Sequence, residues 1–239
     1  MTLTAPWEDP RISRGMSTQL RVRRARLDAG EKALGWKVAF GAPASMERLR
    51  TTAPLVGFLM HRGLLTSGVT LPVSGWTQPV LEPEIAVYLG EDVAAGADGE
   101  TARAAISGVG PAIEIVDLDR PPTADTVEDT LARDIFQRHV ILGAKDASRA
   151  GCNLDGLMGH IWKNGAEVAP RAQPTATSED LVDIVRHVAN TLAASGEKLA
   201  AGHVIITGSI VPPLPMQAGD RMVFQLDPID TISVQLASG

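Results

Sequence analysis

Pro79-Val80-Leu81-Glu82-Pro83-Glu84-Ile85-Ala86-Val87-Tyr88-Leu89 is the stretch on which the fold turns. Its second half is rich in strand-favouring residues and Gly90 follows, so it reads as a β-strand. Strand side chains alternate between faces, so Glu82 and Glu84 project together. Leu81, Ile85, Val87 and Leu89 give them apolar neighbours. Two like charges side by side repel, and shelter from water adds a large desolvation term. A second apolar strand, Ala112-Ile113-Glu114-Ile115-Val116-Asp117, sets Glu114 between two isoleucines. It follows Glu84 by 30 residues, enough for a crossover that returns a strand nearby. Glu-x-Glu alone commonly marks a solvated face; Glu114 in a greasy strand is what points elsewhere. A divalent cation would relieve both the repulsion and the desolvation. Three carboxylates with no neighbouring Cys or His predict a hard ion, Mg²⁺ or Mn²⁺, at Glu82, Glu84 and Glu114.

Around these strands the chain reads as one α+β domain dominated by a mixed or antiparallel sheet, with residues 1–33 as a helical N-terminal extension. Helices are predicted over 11–30, 43–50, 101–107, 125–136 and 178–195. In the last of these Leu181, Ile184, Val185, Val188 and Leu192 share a face, and Thr177 and Asp180 have the spacing of a capping box. Further strands are predicted at 35–40, 55–60, 69–72, 139–143, 203–207, 221–226 and 231–236. Residues 161–168 read as a hairpin turning at Asn164-Gly165.

Composition narrows the function classes. The 239 residues are 44% hydrophobic and 21% charged, as in an ordinary globular protein. A net charge of −6 disfavours nucleic acid as the main partner. The basic cluster Arg21, Arg23, Arg24 and Arg26 reads as a solvated helix face. Cys152 is the only cysteine, no basic-then-apolar leader opens the chain, and no apolar run approaches the ~18 residues that span a bilayer. A cytoplasmic protein is expected.

Other chemistry-bearing residues give weaker signals. Lys37, between Trp36 and Val38, reads on composition alone as a residue of an exposed face. Asp117 and Asp119 read as outer groups of the metal site or as turn formers. His61, His139, His160, His187 and His203 have no metal-ligand spacing, Gly41-Ala42-Pro43 is not a phosphate loop, and Cys152 reads as inert.

Several stretches recur together in a known order: Gly35-Trp36-Lys37-Val38, Glu82-Pro83-Glu84-Ile85-Ala86, Pro111 to Asp117, Ala189-Asn190-Thr191-Leu192-Ala193, Gly196-Glu197, Gly202 to Gly208 and Ala218-Gly219-Asp220. From about residue 30 onward the chain resembles the 2-keto-4-pentenoate hydratase branch of the fumarylacetoacetate hydrolase superfamily. The resemblance implies a mixed β-roll or sandwich with flanking helices as the catalytic domain, residues 34–239. It implies Glu82, Glu84 and Glu114 as ligands of Mg²⁺ or Mn²⁺ and Lys37 as the active-site lysine. It places Lys37, Thr207 and Gly208 against a small 2-oxo acid substrate. It also implies a homo-oligomer, with a partner enzyme of the same pathway as a further association, and no membrane. The activity implied is hydration of a 2-hydroxy-2,4-dienoate through a metal-stabilised enolate. Decarboxylation of a 4-oxalocrotonate-type acid is the alternative, followed by acylpyruvate C–C hydrolysis and a non-catalytic partner subunit. The sequence departs from the family twice. Leu55 in Pro54-Leu55-Val56-Gly57 stands where the hydratases carry an acid, and Ala132-Arg133-Asp134-Ile135-Phe136 replaces an Asp-Asn-Ala-Ser stretch.

Overall fold

The structure is a computed structural model and describes residues 5–172 and 180–239. The first half of the chain runs α1 (Pro10–Asp28), β1 (Ala33–Ala39), α2 (Pro43–Leu49), β2 (Leu55–Met60), β3 (Leu64–Leu65), β4 (Val69–Pro72), β5 (Pro79–Leu89), α3 (Gly99–Ala104) and β6 (Ile106–Asp117). Then follow α4 (Val127–Ala132), β7 (Gln137–Leu142), β8 (Met158–Lys163), β9 (Ala166–Ala172), α5 (Leu181–Ala194), β10 (Val204–Ser209), β11 (Leu214–Pro215), β12 (Arg221–Asp227) and β13 (Asp230–Ala237).

Local chemistry explains most boundaries. Asp9 caps α1 by accepting from the Arg11 N–H, and Pro10 occupies the first helical position, where its missing donor is harmless. At the hairpin, Asn164 and Gly165 have φ of 53° and 81°, the pair of positive values a type I′ turn needs. Asp180 itself caps α5 by accepting from the Val182 N–H, so it is the cap and not the third residue of a capping box; Thr177 lies outside the described residues. The predicted helix over 125–136 is cut short. It ends at Ala132, and Asp134, Ile135 and Phe136 take left-handed φ of 52°, 51° and 63°. Of the α1 arginines, Arg21 and Arg24 are exposed as expected, but the cluster is not solvated throughout. Arg23 is buried, 4.6 Å from the Trp36 ring and 2.9 Å from Glu197; Arg24 shares Glu197, and Arg26 pairs with Glu31.

One mixed sheet has the order β2-β1-β10-β5-β6-β7-β3, with β11 also on β5, and curls into a half-barrel. The second has the order β4-β13-β12-β8-β9, and its β12 and β13 pack on β6. The β1–β10, β3–β7 and β4–β13 pairs are parallel and the others antiparallel. No crossover separates β5 from β6. The chain returns through α3 as the immediate antiparallel neighbour, which puts Glu114 directly opposite Glu82.

The two faces of the large sheet carry different residues. Trp36, Phe58, Leu81, Ile85, Val87, Ile113, Ile115 and Ile205 join the main core together with α1 and α5. The opposite face holds a smaller cluster that includes Ala86, Ala112, Val140, Val204 and Ile206. The glutamates share this second face by the register of β5 and β6, and Lys37 joins it through the row Lys37–Ile206–Ala86. Among the described residues no helix is long and apolar enough to cross a membrane.

Gly35 fixes how closely β1 meets β10. A Cβ there would lie 1.9 Å from the Val204 carbonyl oxygen, which belongs to the rigid backbone. Gly35→Ala is therefore expected to cost about 3 kcal/mol or more. That lowers the melting temperature by roughly 6–12 °C in thermal denaturation for a chain of this size. Gly99→Ala, in open space at the start of α3, is the control and is expected to leave the melt within about 2 °C.

Candidate active site

Pro83 separates Glu82 from Glu84 in the sequence. It lies in β5, between β10 and β6, yet has no N–H for a ladder. Two residues on, opposite Ile85, the β10–β5 register breaks between Ile206, which faces Ala86, and Ser209, which faces Glu84. Gly208 turns there with φ +90°, and its N–H, released from the ladder, donates to Glu84 Oε2 at 2.7 Å. Thr207, in the same bulge, donates its hydroxyl to the Ile85 carbonyl at 3.0 Å.

Glu82, Glu84 and Glu114 each offer a carboxylate oxygen within 4.8 Å of the others. Glu84 and Glu114 are fully buried and Glu82 is half-buried at the edge of a cavity. Lys37 is not on an exposed face: it shows 1% of its surface, and Nζ donates to Glu114 Oε1 and, at 3.3 Å, to the Ile135 carbonyl. Burial pushes the carboxyls up. Glu82 rises to about 7, through burial first and the charge of Glu114 second, with Lys37 opposing. Glu84 is raised well above its usual value by burial and by both neighbouring glutamates. Glu114 is raised by burial against the pull of Lys37. For Lys37, burial acts downward but Glu114, Glu82 and Asp134 outweigh it, so the ammonium is held above its ordinary value.

The donor set fits a divalent cation. Glu84 Oε1 and Glu114 Oε2 are buried with no hydrogen-bond partner among the described residues. Buried acceptors without donors are rare in folded proteins, and each calls for a missing partner. Three carboxylates beside one lysine leave two negative charges uncompensated, the charge one divalent ion supplies. Carboxylate oxygens alone, with no histidine in the group, suit a hard ion.

A cavity of about 420 Å³ opens above this floor. Lys37, Glu82, Thr207 and Gly208 border it, together with Val80, Val116, Leu118, Ile135, Phe136 and Pro213. Its volume is that of a small-molecule site. Arg48, exposed on α2, is the other cationic residue on its border.

Asp117 and Asp119 take no part in the carboxylate group. Asp117 accepts the N–H groups of Thr77 and Gln78 at 2.9 and 3.0 Å, fixing the entry to β5. Asp119 pairs with Arg133 at 2.8 Å. Three of the histidines are occupied elsewhere: His187 meets the Pro54 carbonyl, His203 accepts from the Trp36 indole, and His139 stacks on Trp76. Cys152 is buried, its thiol pushed up to about 12 by burial. The residue sequence reasoning missed is Asp134. It accepts the Phe58 N–H at 2.8 Å, and its carboxyl is pushed up to about 8, by desolvation foremost. A helical pattern running through 125–136 hid the turn that places it; the break in the familiar stretch at Asp134 was the available signal.

Comparison with known proteins agrees with this architecture. A family model described as fumarylacetoacetate (FAA) hydrolase C-terminal matches residues 37–237. A 2-hydroxyhexa-2,4-dienoate hydratase of Comamonas testosteroni is 31% identical over 219 residues, which span 90% of this chain and 83% of the relative. A 4-oxalocrotonate decarboxylase of Pseudomonas putida is 26% identical over 218 residues, 91% and 82% of the two chains. The solved structure of 4-oxalocrotonate decarboxylase from Pseudomonas putida G7, complexed with magnesium and adipate, superposes with a TM-score of 0.82 at 25% identity, covering 92% of this chain and 84% of that one.

The raised carboxyls set a stability trend for the metal-free protein. Glu82, Glu84, Glu114 and Asp134 all bind their protons more tightly in the folded state than in the unfolded one. Folded values above unfolded ones mean stability present at low pH and lost as pH rises through the folded values. Protein stripped with a chelator is expected to melt lower at pH 8 than at pH 5.5. A flat or rising melting temperature across that window, followed by thermal fluorescence, would show that the cluster is not desolvated as described.

Proposed function

We propose, since this chain belongs to the fumarylacetoacetate hydrolase family, that it is a Mg²⁺- or Mn²⁺-dependent hydratase of small 2-hydroxy-2,4-dienoates. The observation that carries the proposal is the uncompensated pair of buried oxygens, Glu84 Oε1 and Glu114 Oε2, at the floor of the cavity. Glu82, Glu84 and Glu114 would hold the ion. When bound, it supplies Lewis acidity toward the carboxylate and 2-oxygen of the substrate.

The chain's own residues do the rest. Lys37 Nζ is fixed at the floor by Glu114 and the Ile135 carbonyl, where it can donate to the substrate's 2-oxygen and carry a proton there. In the reaction the 2-hydroxyl proton leaves and C5 gains one, giving a 2-oxo-3-enoate. Water oxygen then bonds C4 while C3 takes a proton, so the net change is addition of one water to give a 4-hydroxy-2-oxo acid. Thr207 and Gly208 border the chelating end, and Gly208 also holds Glu84. Val80, Val116, Leu118, Phe136 and Pro213 form apolar walls beyond it, which suit a hydrogen or short alkyl tail. A cytoplasmic homo-oligomer acting on such a soluble 2-oxo acid is the setting this reading implies; the single buried cysteine accords with a reducing compartment.

One observation favours a second reading. Arg48 at the cavity border would meet a second carboxylate, as a 4-oxalocrotonate-type substrate carries, and the reaction would then be loss of CO₂. Assays of a 2-hydroxydienoate, 4-oxalocrotonate and an acylpyruvate, each with and without Mg²⁺, separate the cases. Metal-dependent loss of dienoate absorbance, with 4-hydroxy-2-oxo acid formed, is expected. Glu84→Gln is expected to lower that rate at least ~10²-fold and to weaken Mg²⁺ binding in calorimetry. CO₂ release from 4-oxalocrotonate with a higher kcat/KM, and a raised KM in Arg48→Leu, would instead establish the decarboxylase. Turnover and metal content unchanged by Glu84→Gln would end both readings.

A further inference from the structure

Three consecutive residues other than glycine, Asp134, Ile135 and Phe136, sit in the left-handed region at φ 52°, 51° and 63°. A residue so placed is strained and persists only where its surroundings over-determine it. What pins this turn is visible: Asp134 Oδ1 accepts the Phe58 N–H at 2.8 Å, tying the turn to β2. What the turn delivers is visible too. It aims the Ile135 carbonyl at Lys37 Nζ, 3.3 Å away, and sets Ile135 and Phe136 in the cavity wall. Gly57 lies between the two groups. A Cβ there would stand 2.8 Å from Lys37 Cγ and 2.9 Å from Asp134 Oδ1, so the lysine stem and the aspartate press on the same glycine from two sides. Asp134 does not itself border the cavity.

We propose that Asp134 is a positioning residue for Lys37: its bond to the Phe58 N–H holds the left-handed turn whose Ile135 carbonyl, together with Glu114, fixes the ammonium at the cavity floor. The proposal rests on the reading of Lys37 as the group that donates to the substrate's 2-oxygen. It assigns the effect to where the acceptor oxygen stands and not to the negative charge.

Substitutions at Asp134 separate the two. Asp134→Asn keeps an acceptor in place and removes the ionisable carboxyl. Asp134→Glu keeps the carboxyl and moves the oxygen by one methylene. With a 2-hydroxydienoate and saturating Mg²⁺, Asp134→Asn is expected to retain kcat within about threefold, whereas Asp134→Glu and Asp134→Ala lose about 10²-fold, the effect of misplacing a reacting group by about 1 Å. KM and the Mg²⁺ dissociation constant, the latter measured by calorimetry, are expected to stay within about threefold in all three. Thermal melts identify any variant that fails to fold, and the Asn and Glu pair then decides alone. Full activity in Asp134→Glu, or a loss in Asp134→Asn as deep as in Asp134→Glu, overturns the proposal. So does a metal affinity that falls in step with kcat. Lys37→Met, assayed alongside, tests the underlying reading: wild-type kcat in that variant would sink the role given to Lys37, whatever the Asp134 series shows.

Discussion

The inner face of the large sheet must balance three glutamates against one lysine, and the rest of the site follows from that constraint. Lys37 and Glu114 expose 1% and 0% of their side chains, so neither charge can be left to water. A buried ion pair stabilises little in itself, but removing one partner costs roughly 3–5 kcal/mol because the other is stranded. The pair neutralises one glutamate only. Glu82 and Glu84 remain, and in the absence of a cation the cluster answers by raising their carboxyls toward the protonated form. The fold thus maintains an electrostatic deficit that a bound ion can relieve, and it does so at the bottom of a cavity of substrate size.

Backbone irregularities arrange the cluster. Regular pairing would give Gly208 a ladder bond; the bulge in β10 between Ile206 and Ser209 interrupts that ladder, and the N–H goes to Glu84 instead. On the neighbouring strands Gly35 and Gly57 admit close approach, of β10 to β1 in one case and of Lys37 and Asp134 to β2 in the other. The left-handed turn at Asp134–Phe136 then supplies the carbonyl that completes the environment of the lysine. Strain at this turn sits beside the cavity, where it orders a side chain that has several rotatable bonds to lose.

Much of this was legible in the sequence, and what was not has physical causes. The β-rich run ending at Gly90 in 79–89 and a helical stripe in 181–192 are local signals, and both elements form. The type I′ hairpin at Asn164-Gly165 follows from residues that tolerate positive φ. Pairing between strands is a different matter. Nothing local said that β6 returns as the antiparallel neighbour of β5, so the direct opposition of Glu82 and Glu114 was out of reach. Lys37 was misread from composition because its burial depends on Glu114, 77 residues away. The turn at Asp134 escaped because tertiary bonding to Phe58, 76 residues distant, overrides a helical pattern that propensity alone would extend.

The floor and the walls of the cavity are built by different means. The carboxylates and Lys37 are locked by register to neighbouring strands, where a one-residue slip would reverse every side chain. Leu118, Pro121, Pro122 and Pro213 belong to connecting segments, and Arg48 to the short helix α2. Connecting segments tolerate substitution far better than paired strands do. The two ends of the cavity can therefore diverge at separate rates: drift in the loops reshapes the walls while the carboxylate end stays in register. Such a division of labour lets one scaffold serve both the hydratase and the decarboxylase found among its relatives, with no change in how the chain folds.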